Sequence, residues 1–489
     1  MSVSLQITNN FSRSSANSTD YFGTYYEDSQ IWLYFLNSAN KITYTKVSDG
    51  SVVTVSDSVA IQLSDVKAST FNLSVAEDST KLFAALGDTN PFIGKNGPEL
   101  FEKQLPYALA EWTILGKVND NVDVSYIDSF SFPTTLKVID ANGKVTGSAG
   151  FNSGTKASDI IASFEKKIAS SPVGPRNDDY PQPGAVGYGP LVSTIQGNDK
   201  AGRWLGSSKY YISGPDLNNR RSMYLYAPSF NEYLAHLQSH APTTKTNNGD
   251  IKGWYIDYSG NNGYSGYLTV TGNATNGFGL KVHNIRVNTQ PSAQNDWEAQ
   301  PNVGDSTKGD IEVIANGARV PFPSNNTKAG KPKVAKTTVD GNWTDAVIYS
   351  GAAVIGTIGE GPIVTSTGNF APGEAHYDIV ATFLASISAS IATGLLGSEQ
   401  YVQAYSGKIH PPKSTMYWFN TLPRAKSLTT LFDKAWPGKE AYFDPFWATL
   451  SAHTGNQGYL SPFNDRWALF SPDFTLKADD TIKWYLGGE

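Results

Sequence analysis

"YALAEWTILGKVNDNVDVSYIDSFSFPTTLKV", residues 107–138, consists of two apolar, aromatic-rich runs that flank a short polar gap. Each run contains one carboxylate, Glu111 in the first and Asp128 in the second. The gap "GKVNDN" is typical of a turn, with Asn119 and Asp120 at its tip. The stretch therefore predicts a β-hairpin, and the charge inside each apolar strand needs a physical reason.

The two carboxylates face each other if the dipeptide at the tip forms the whole loop. Val118 then pairs with Asn121, and Glu111 pairs with Asp128 on the same face of the hairpin. Directly opposite residues have Cβ atoms about 4.5–5.5 Å apart, and like charges at such positions are normally destabilising. The pair indicates either a chemical function or two charges that simply lie on a solvated strand face.

Composition excludes several classes of site and partner. With 17% charged and 12% aromatic residues over 489 positions, the chain is expected to fold around a large core, in two or three domains. A net charge of −6 argues against nucleic acid, whose binding usually requires a basic patch. Because the sequence contains no Cys, it has no disulfide, thiolate zinc site or cysteine nucleophile.

The sequence also bears on membranes and export. It contains no run of about 18 apolar residues, so no membrane span is predicted. The start, "MSVSLQITNN", lacks the basic and apolar regions of a secretory signal peptide. Either such a peptide has been removed or none is used.

The first 150 residues alternate apolar and polar side chains, a pattern typical of strands. The gaps between these runs are short, which favours antiparallel pairing. The clearest runs are "QIWLYFLN" (30–37), "KITYTKV" (41–47), "SVVTVS" (51–56), "FNLSVA" (71–76) and "KLFAALG" (81–87).

Helices and strands are mixed in the rest of the chain. Helices are predicted at 158–171, near residue 230 and at 374–397, the last ending at Gly394 or Gly397. In the second helix four apolar residues share one face: Phe230, Tyr233, Leu234 and Leu237. Further strands are predicted within 250–285 and 473–487.

These patterns predict a mainly β protein with an α/β part. We expect a β domain at 1–150 and a mixed α/β domain at 151–454. On the pattern alone the strands of 455–489 could join either part, and we expect them to complete the β domain. A groove between two such parts is a natural ligand site.

A pair of carboxylates close together suits glycoside hydrolysis. One acid protonates the leaving oxygen, and a second carboxylate acts from the other side of the sugar. Burial and the neighbouring charge raise the pKa of one of them, which leaves a proton to donate near neutral pH. The surrounding aromatic residues offer surfaces on which sugars stack: Trp112, Tyr126, Phe130 and Phe132.

The segments "AEWTI" and "VSYIDSFSFP" resemble the signature of glycoside hydrolase family 64, the laminaripentaose-producing β-1,3-glucanases. In that family a Glu-aromatic-Thr segment precedes a Ser-Tyr-Val-Asp-aromatic segment at about the same spacing. The resemblance implies that Glu111 is the general acid and Asp128 the general base of an inverting mechanism. It also implies β-1,3-glucan, such as laminarin or a curdlan-like polysaccharide, as the substrate.

A second segment, "GYLSPFNDRW" at 458–467, resembles the family's Gly-Tyr-Ala-Phe-Pro-Tyr-Asp-Asp segment. Asp465 matches the second acid of that pair, and Asn464 replaces the first. The resemblance implies that both residues bind substrate. The alternative for Asp465 is a turn residue that pairs with Arg466.

The resemblance further implies a thaumatin-like β-barrel or sandwich domain, a mixed α/β domain and a wide groove between them. The residues expected to bind substrate are Trp112, Thr113, Tyr126, Asn464 and Asp465. Neither a metal nor another cofactor is needed, and a secreted monomer is expected. Two departures from the family are the absence of Cys, which its secreted members often contain, and the missing acid at position 464.

The sequence therefore leaves two main candidate functions. The first is an inverting endo-β-1,3-glucanase that releases short laminari-oligosaccharides. The second is a β-glucan-binding or structural protein on the same scaffold, with weak or no turnover, which the missing acid and the lack of a visible signal peptide favour slightly.

A metal centre is the weaker interpretation of the histidines. His236 and His240 are spaced i, i+4 on a predicted helix, but the sequence there is "HLQSH" rather than the HExxH of zinc proteases. They are expected to lie on the surface or at a helix end. Nucleophile-elbow, Walker and Rossmann motifs are absent from the sequence.

Overall fold

A computed structural model gives the structure of the chain. It describes residues 2–14, 24–57, 59–90, 107–118, 120–126, 129–169, 204–205, 230–246, 249–258, 263–275, 277–288, 311–314, 317–321, 336–339, 364–366, 387, 389–398, 432–439, 442–455, 457–461 and 474–489.

Strands predominate among the described elements, as the alternating pattern predicts. The strands are β1 (Ser2–Asn9), β2 (Ile31–Leu36), β3 (Ile42–Lys46), β4 (Val52–Thr54), β5 (Ala60–Gln62), β6 (Val66–Ser74), β7 (Glu77–Leu86), β8 (Tyr107–Ile114), β9 (Asn121–Ser125), β10 (Ser129–Phe130), β11 (Thr134–Ile139), β12 (Val145–Gly150), β13 (Trp204–Leu205), β14 (Thr243–Thr246), β15 (Gly249–Lys252), β16 (Trp254–Tyr258), β17 (Gly263–Asn273), β18 (Gly277–Asn288), β19 (Ile311–Ile314), β20 (Gly317–Pro321), β21 (Lys336–Val339), β22 (Val364–Ser366), β23 (Phe474–Thr475) and β24 (Thr481–Leu486). The α-helices are α1 (Ala157–Ala169), α2 (Asn231–Ser239) and α3 (Pro445–Thr454).

The strands form two large N-terminal sheets and one later sheet. The first sheet has the order β12-β11-β24-β1-β6-β3-β4, and the second has the order β23-β9-β8-β7-β2-β5. The third sheet runs in chain order from β16 to β22. Two small sheets pair β10 with β13 and β14 with β15.

The first and second sheets pack face to face through aromatic side chains. The ring of Phe35 on β2 lies 5.2 Å from that of Phe71 on β6 and 6.1 Å from that of Trp112 on β8. All three side chains are buried. Burying each such side chain contributes about 1.5–3 kcal/mol to stability, so this contact layer holds the two sheets together as a sandwich.

The predicted fold class is confirmed in its main part. The protein is mainly β, and the N-terminal strands form a sandwich, with no closed barrel among the described residues. The mixed α/β part is confirmed only in part, by helices α1, α2 and α3 and by the third sheet. β24 lies between β1 and β11 in the first sheet, and β23 pairs with β9 in the second. The division into domains at residues 150 and 455 stays a prediction.

The predicted second helix is confirmed as α2. Tyr233, Leu234 and Leu237 on its inner face are buried, and the Tyr233 hydroxyl donates a hydrogen bond to the Leu396 carbonyl at 2.6 Å. The helix predicted at 374–397 falls largely outside the described residues. Its described end, at Gly394, has the left-handed backbone (φ 69°) that a helix stop favours.

The predicted β8–β9 hairpin exists, but its predicted register is wrong. Glu111 pairs with Asp123, not with Asp128. The reason is the loop, which spans residues 115–120 instead of a single dipeptide. The buried carboxylate of Asp120 accepts hydrogen bonds from three loop N–H groups: those of Leu115 (2.8 Å), Gly116 (2.7 Å) and Lys117 (3.2 Å).

His236 and His240 lie at the end of α2, where the sequence predicts them. Their rings stack with centroids 4.1 Å apart, and His236 also packs against Trp436 and Tyr442. The pKa of His236 lies below its ordinary value, first because its ring is partly buried and second because His240 is close. Lys439 lowers this pKa further, and Glu232 opposes the shift.

We expect Asp120→Ala to lower the free energy of unfolding by about 2 kcal/mol, because three N–H groups lose a shared acceptor. Thermal or urea unfolding followed by tryptophan fluorescence measures the loss. The matched control is Asp49→Ala, whose exposed carboxylate accepts hydrogen bonds from the Ser51 N–H and hydroxyl. Equal losses in the two variants would show that Asp120 does not organise the hairpin loop.

Acidification is expected to destabilise the packing of α2 through His236. Since its pKa is lower in the folded than in the unfolded chain, the folded state binds fewer protons. The contribution of His236 to the free energy of unfolding is therefore complete above the pKa of the unfolded chain, about 6.5, and is lost as the pH falls below that value. The thermal midpoint should fall less between pH of about 7.5 and 5.5 in His236→Gln than in the wild type. Identical slopes would contradict this assignment.

Candidate active site

The outer face of the second sheet presents a row of charged side chains. Strand alternation turns Ala110, Trp112 and Ile114 of β8 toward the sandwich core and Glu111 and Thr113 away from it. The strand register then aligns Lys81 on β7, Glu111 on β8 and Asp123 on β9. These three residues are called the charged row below.

Apolar rows lie beside the charged row on the same face. One consists of Tyr34, Phe83 and Leu109 and ends at Ser125. The next contains Trp32, Ala85 and Tyr107. Most of these side chains are buried and form a second apolar cluster apart from the sandwich core, with Trp32 partly exposed. The charged row is therefore bordered by a buried cluster of mainly aromatic side chains.

An ion pair joins the first two members of the charged row. The Lys81 Nζ lies 3.2 Å from the Glu111 Oε2, and the two side chains are 37% and 27% exposed. Asp123 lies opposite Glu111 and is only 9% exposed.

Thr113 is the predicted binding residue that shares the face of Glu111. Its Oγ1 accepts a hydrogen bond from the Ser79 N–H at 3.1 Å, which ties β8 to β7. The side chain is partly exposed, so it can be reached from solvent. Its role in binding stays a prediction.

Trp112 and Tyr126 do not lie where the sequence interpretation expects them. Trp112 is 1% exposed and packs against Phe35 in the core. Tyr126 is 3% exposed, and its hydroxyl lies 2.6 Å from the Thr134 Oγ1 and donates to the Thr134 carbonyl at 3.0 Å. Burial raises the pKa of Tyr126 above its ordinary value. Both residues alternate with outward-facing ones, so their expected place in the groove is corrected to the core.

The two motifs that are distant in sequence meet at the end of β9. The Tyr126 N–H donates to the Tyr459 carbonyl at 2.8 Å, and the Tyr459 N–H donates to the Val124 carbonyl at 3.0 Å. Gly458 has φ 138°, and a Cβ there would lie 3.3 Å from the Tyr126 ring. The start of "GYLSPFNDRW" is thus held beside the strand that precedes Asp128.

Three predicted site residues fall outside the described residues: Asp128, Asn464 and Asp465. The distance between the Glu111 and Asp128 carboxyl groups, on which the choice of mechanism depends, is therefore an open prediction. Glu111 and Thr113 are the predicted site residues that the structure places together on the outer face.

The sequence analysis did not predict that Lys81 and Asp123 lie beside Glu111. Asp123 belongs to the alternation Asn121, Asp123, Ser125, which marks the polar face of β9. Lys81 begins the run "KLFAALG", but its position beside Glu111 depends on a pairing between β7 and β8 that a single sequence does not specify.

The described residues give no sign of a metal centre or a membrane span. Among them, no three His, Cys, Asp or Glu side chains cluster in a way that could hold a metal ion. No helix in the described part of the chain is both long and apolar enough to cross a bilayer.

Comparisons with known proteins point to one family of solved structures. Neither a protein-family model nor a curated protein matches the chain. A β-1,3-glucanase domain (GH64) from Clostridium beijerinckii is similar at 12% identity and a TM-score of 0.45, over 100% of this chain and 98% of that one. At these values the likeness assigns no activity to this chain.

Two further structures are of a GH family 64 laminaripentaose-producing β-1,3-glucanase from Paenibacillus barengoltzii, one of them complexed with laminarihexaose. They are similar at 16% and 15% identity with TM-scores of 0.23, over 34% of this chain and 43% of theirs. All three structures belong to the family that the "AEWTI" and "VSYIDSFSFP" segments resemble.

We expect Tyr126→Phe to cost about 1 kcal/mol of stability, the usual net worth of a buried hydrogen bond. The ring stays in place while the link to Thr134 is lost. Differential scanning calorimetry measures the change, and Thr134→Val, which removes the Oγ1 partner, is the matched variant. If the double variant loses the sum of both single losses, the Tyr126 hydroxyl and the Thr134 Oγ1 do not interact in solution, and any loss in Tyr126→Phe belongs to the bond with the Thr134 carbonyl.

Proposed function

We propose that the chain is a glycoside hydrolase that cleaves β-1,3-glucan internally with inversion and releases short laminari-oligosaccharides. The observation that carries the proposal is the position of Glu111 in the charged row. Its carboxylate lies on a face bordered by aromatic side chains and is exposed enough to contact a ligand. The motif resemblance, which centres on the same residue, points to the same chemistry.

The proposed reaction assigns one proton transfer to each carboxyl group. Glu111, in its protonated form, gives its proton to the leaving glycosidic oxygen as the bond from that oxygen to C1 breaks. Asp128 takes a proton from a water molecule whose oxygen bonds to C1 from the opposite face. Inverting enzymes hold their two carboxyl groups about 6.5–9.5 Å apart so that this water fits.

Other residues would bind the polysaccharide. Thr113 lies next to Glu111 on the same face, and Asn464 and Asp465 follow the segment held beside β9. We propose these three as substrate contacts. We also propose, from the motif resemblance, that the protein acts outside the cell as a monomer.

A second candidate is a β-glucan-binding or structural protein with weak or no turnover. One observation favours it: the Lys81 ammonium lies 3.2 Å from Glu111 and forms an ion pair with it, whereas a general acid must hold a proton. The replacement of an acid by Asn464 agrees with this candidate.

The test is product formation from laminarin and curdlan, analysed by chromatography of the released oligosaccharides. Glu111→Gln and Asp128→Asn should each lower the rate by about 10²–10⁴-fold, the usual contribution of a general acid or base. Binding, measured by affinity electrophoresis, should remain. The matched control is Asp78→Asn, an exposed carboxylate on the neighbouring strand β7, which should keep full activity.

The outcomes separate the two candidates. Wild-type protein that binds the glucan but releases no products supports the binding protein. Wild-type protein that neither binds nor cleaves either polysaccharide overturns both candidates. Full activity in Glu111→Gln overturns the assignment of the acid.

A further inference from the structure

We infer that the loop at Trp436 is a pH-sensitive switch, which packs on α2 at neutral pH and opens away from it when His236 is protonated. The Trp436 loop consists of residues 435–439 and follows the 3₁₀ turn Phe432–Lys434. The opening is confined to this loop and leaves α2 in place. The switch does not depend on the proposed function.

A cluster of rings joins the Trp436 loop to α2. The His236 ring lies 5.2 Å from that of Trp436 and 5.5 Å from that of Tyr442. The Tyr233 ring, also on α2, lies 5.9 Å from Trp436 and 4.8 Å from Tyr442. His236 therefore lies where a charge would be placed between the helix and the loop.

Protonation of His236 is opposed by its surroundings while the loop is closed. Partial burial, the His240 ring stacked at 4.1 Å and the Lys439 ammonium lower the pKa of His236 below its ordinary value. Glu232 and the negative end of α2 act in the opposite sense. Because opening the loop removes both the burial and the ammonium, the open loop binds the proton more tightly, and protonation favours opening.

The titratable groups that face His236 come from both elements, Glu232 and His240 from α2 and Lys439 and Tyr442 from the other side of the contact. A hydrogen bond and the charge of Glu232 raise the pKa of Lys439. Burial, and after it the charge of Glu232, raise the pKa of Tyr442. Lys439 therefore stays charged and Tyr442 neutral over the pH range in which an imidazole titrates.

The Trp436 loop has few buried contacts, which makes its local opening inexpensive. Residues 437–439 are exposed, and Trp436 is only partly buried. The ion pair between Lys439 and Glu232, at 2.5 Å, joins side chains that are 48% and 50% exposed. Ion pairs this exposed contribute little to stability.

One hydrogen bond reports directly on whether the loop is closed. The Trp436 indole N–H donates to the Gly394 carbonyl at 2.6 Å. The ring packs so closely there that a Cβ on Gly394 would lie 2.8 Å from it. The bond therefore breaks when the loop leaves its site, and the indole hydrogen becomes free to exchange.

Contacts without a titratable group hold α2 and the start of the loop. On α2, the Leu237 carbonyl accepts a hydrogen bond from the Trp254 indole at 2.8 Å. Before the loop, the buried ring of Phe432 lies 5.8 Å from that of Phe443 and 5.9 Å from that of Trp447. Acidification in the imidazole range leaves both contacts intact, so the opening stays local.

The experiment measures hydrogen exchange at three indole N–H groups in protein labelled with ¹⁵N at tryptophan. Trp436 reports on the loop and Trp254 on α2, and Trp32, whose indole donates to the Gly87 carbonyl at 3.0 Å in the second sheet, is the internal reference. Dividing each rate by that of Trp32 removes the intrinsic pH dependence of exchange. Each resonance is assigned by its loss in the corresponding Trp→Phe variant.

Between pH of about 7.5 and 5.5, the relative exchange rate of Trp436 should rise in the wild type while that of Trp254 stays constant. The limiting rise should be about tenfold for each pH unit by which His236 titrates below about 6.5. NMR titration of the histidine rings gives that midpoint, and the His236 resonance is the one missing from His236→Gln. The rise should be absent from His236→Gln.

His453→Gln is the matched control, since it removes an imidazole from the last turn of α3 and should behave as the wild type. His240→Gln is a second variant at an exposed position. It removes the stacked imidazole but keeps a side-chain N–H, so the His236 midpoint should rise and the exchange of Trp436 should change less with pH. Thermal unfolding of each variant confirms that it is folded.

Three results would overturn the switch. The first is a rise in the Trp254 rate that equals the rise at Trp436, because the opening would then include α2. The second is the same rise at Trp436 in His236→Gln as in the wild type. The third is a His236 midpoint at or above the ordinary value of about 6.5 in the wild type.

Discussion

Three backbone N–H groups donate to one buried carboxylate, that of Asp120, and this arrangement determines where β9 begins. A strand has a side-chain period of two, so its starting residue decides which side chains face the core. With β9 starting at Asn121, Val122 and Val124 enter the sandwich and Asp123 faces outward. The identity of the residue opposite Glu111 is therefore a consequence of the loop.

The same register divides the second sheet into two faces with different physical roles. The inner face supplies Phe35 and Trp112 to the contact with the first sheet, where burial of aromatic surface stabilises the fold. The outer face carries the charged row, where Lys81 and Glu111 form a partly exposed ion pair.

Pairings between segments that are far apart in the sequence hold the two sheets in place. β24 lies between β1 and β11, so the middle of the first sheet joins segments from opposite ends of the described chain. Segment 457–461 lies beside the end of β9 in the same way. Closing such large loops costs chain entropy before the contacts form, and sheets of this topology are expected to fold slowly. The candidate site depends on these long-range contacts because they fix the end of β9.

Sequence alone determined the local structure of this protein. Alternation predicted β2, β3 and β7, and helical spacing predicted the buried face of α2 through Tyr233, Leu234 and Leu237, because both signals arise from neighbours along the chain. It also predicted the hairpin that contains Glu111. The same alternation, applied strictly, places Trp112 on the opposite face from Glu111.

Tertiary structure decided the partners of Glu111. Lys81 and Asp123 reach it through pairings between strands, and Tyr459 reaches Tyr126 across more than three hundred residues of chain. The same polar residues could form either a two-residue turn or a longer loop closed by one carboxylate. The two loops give different strand registers, and the sequence pattern does not distinguish them. Only the three-dimensional packing selects between them, because the choice depends on which side chains the facing sheet can bury.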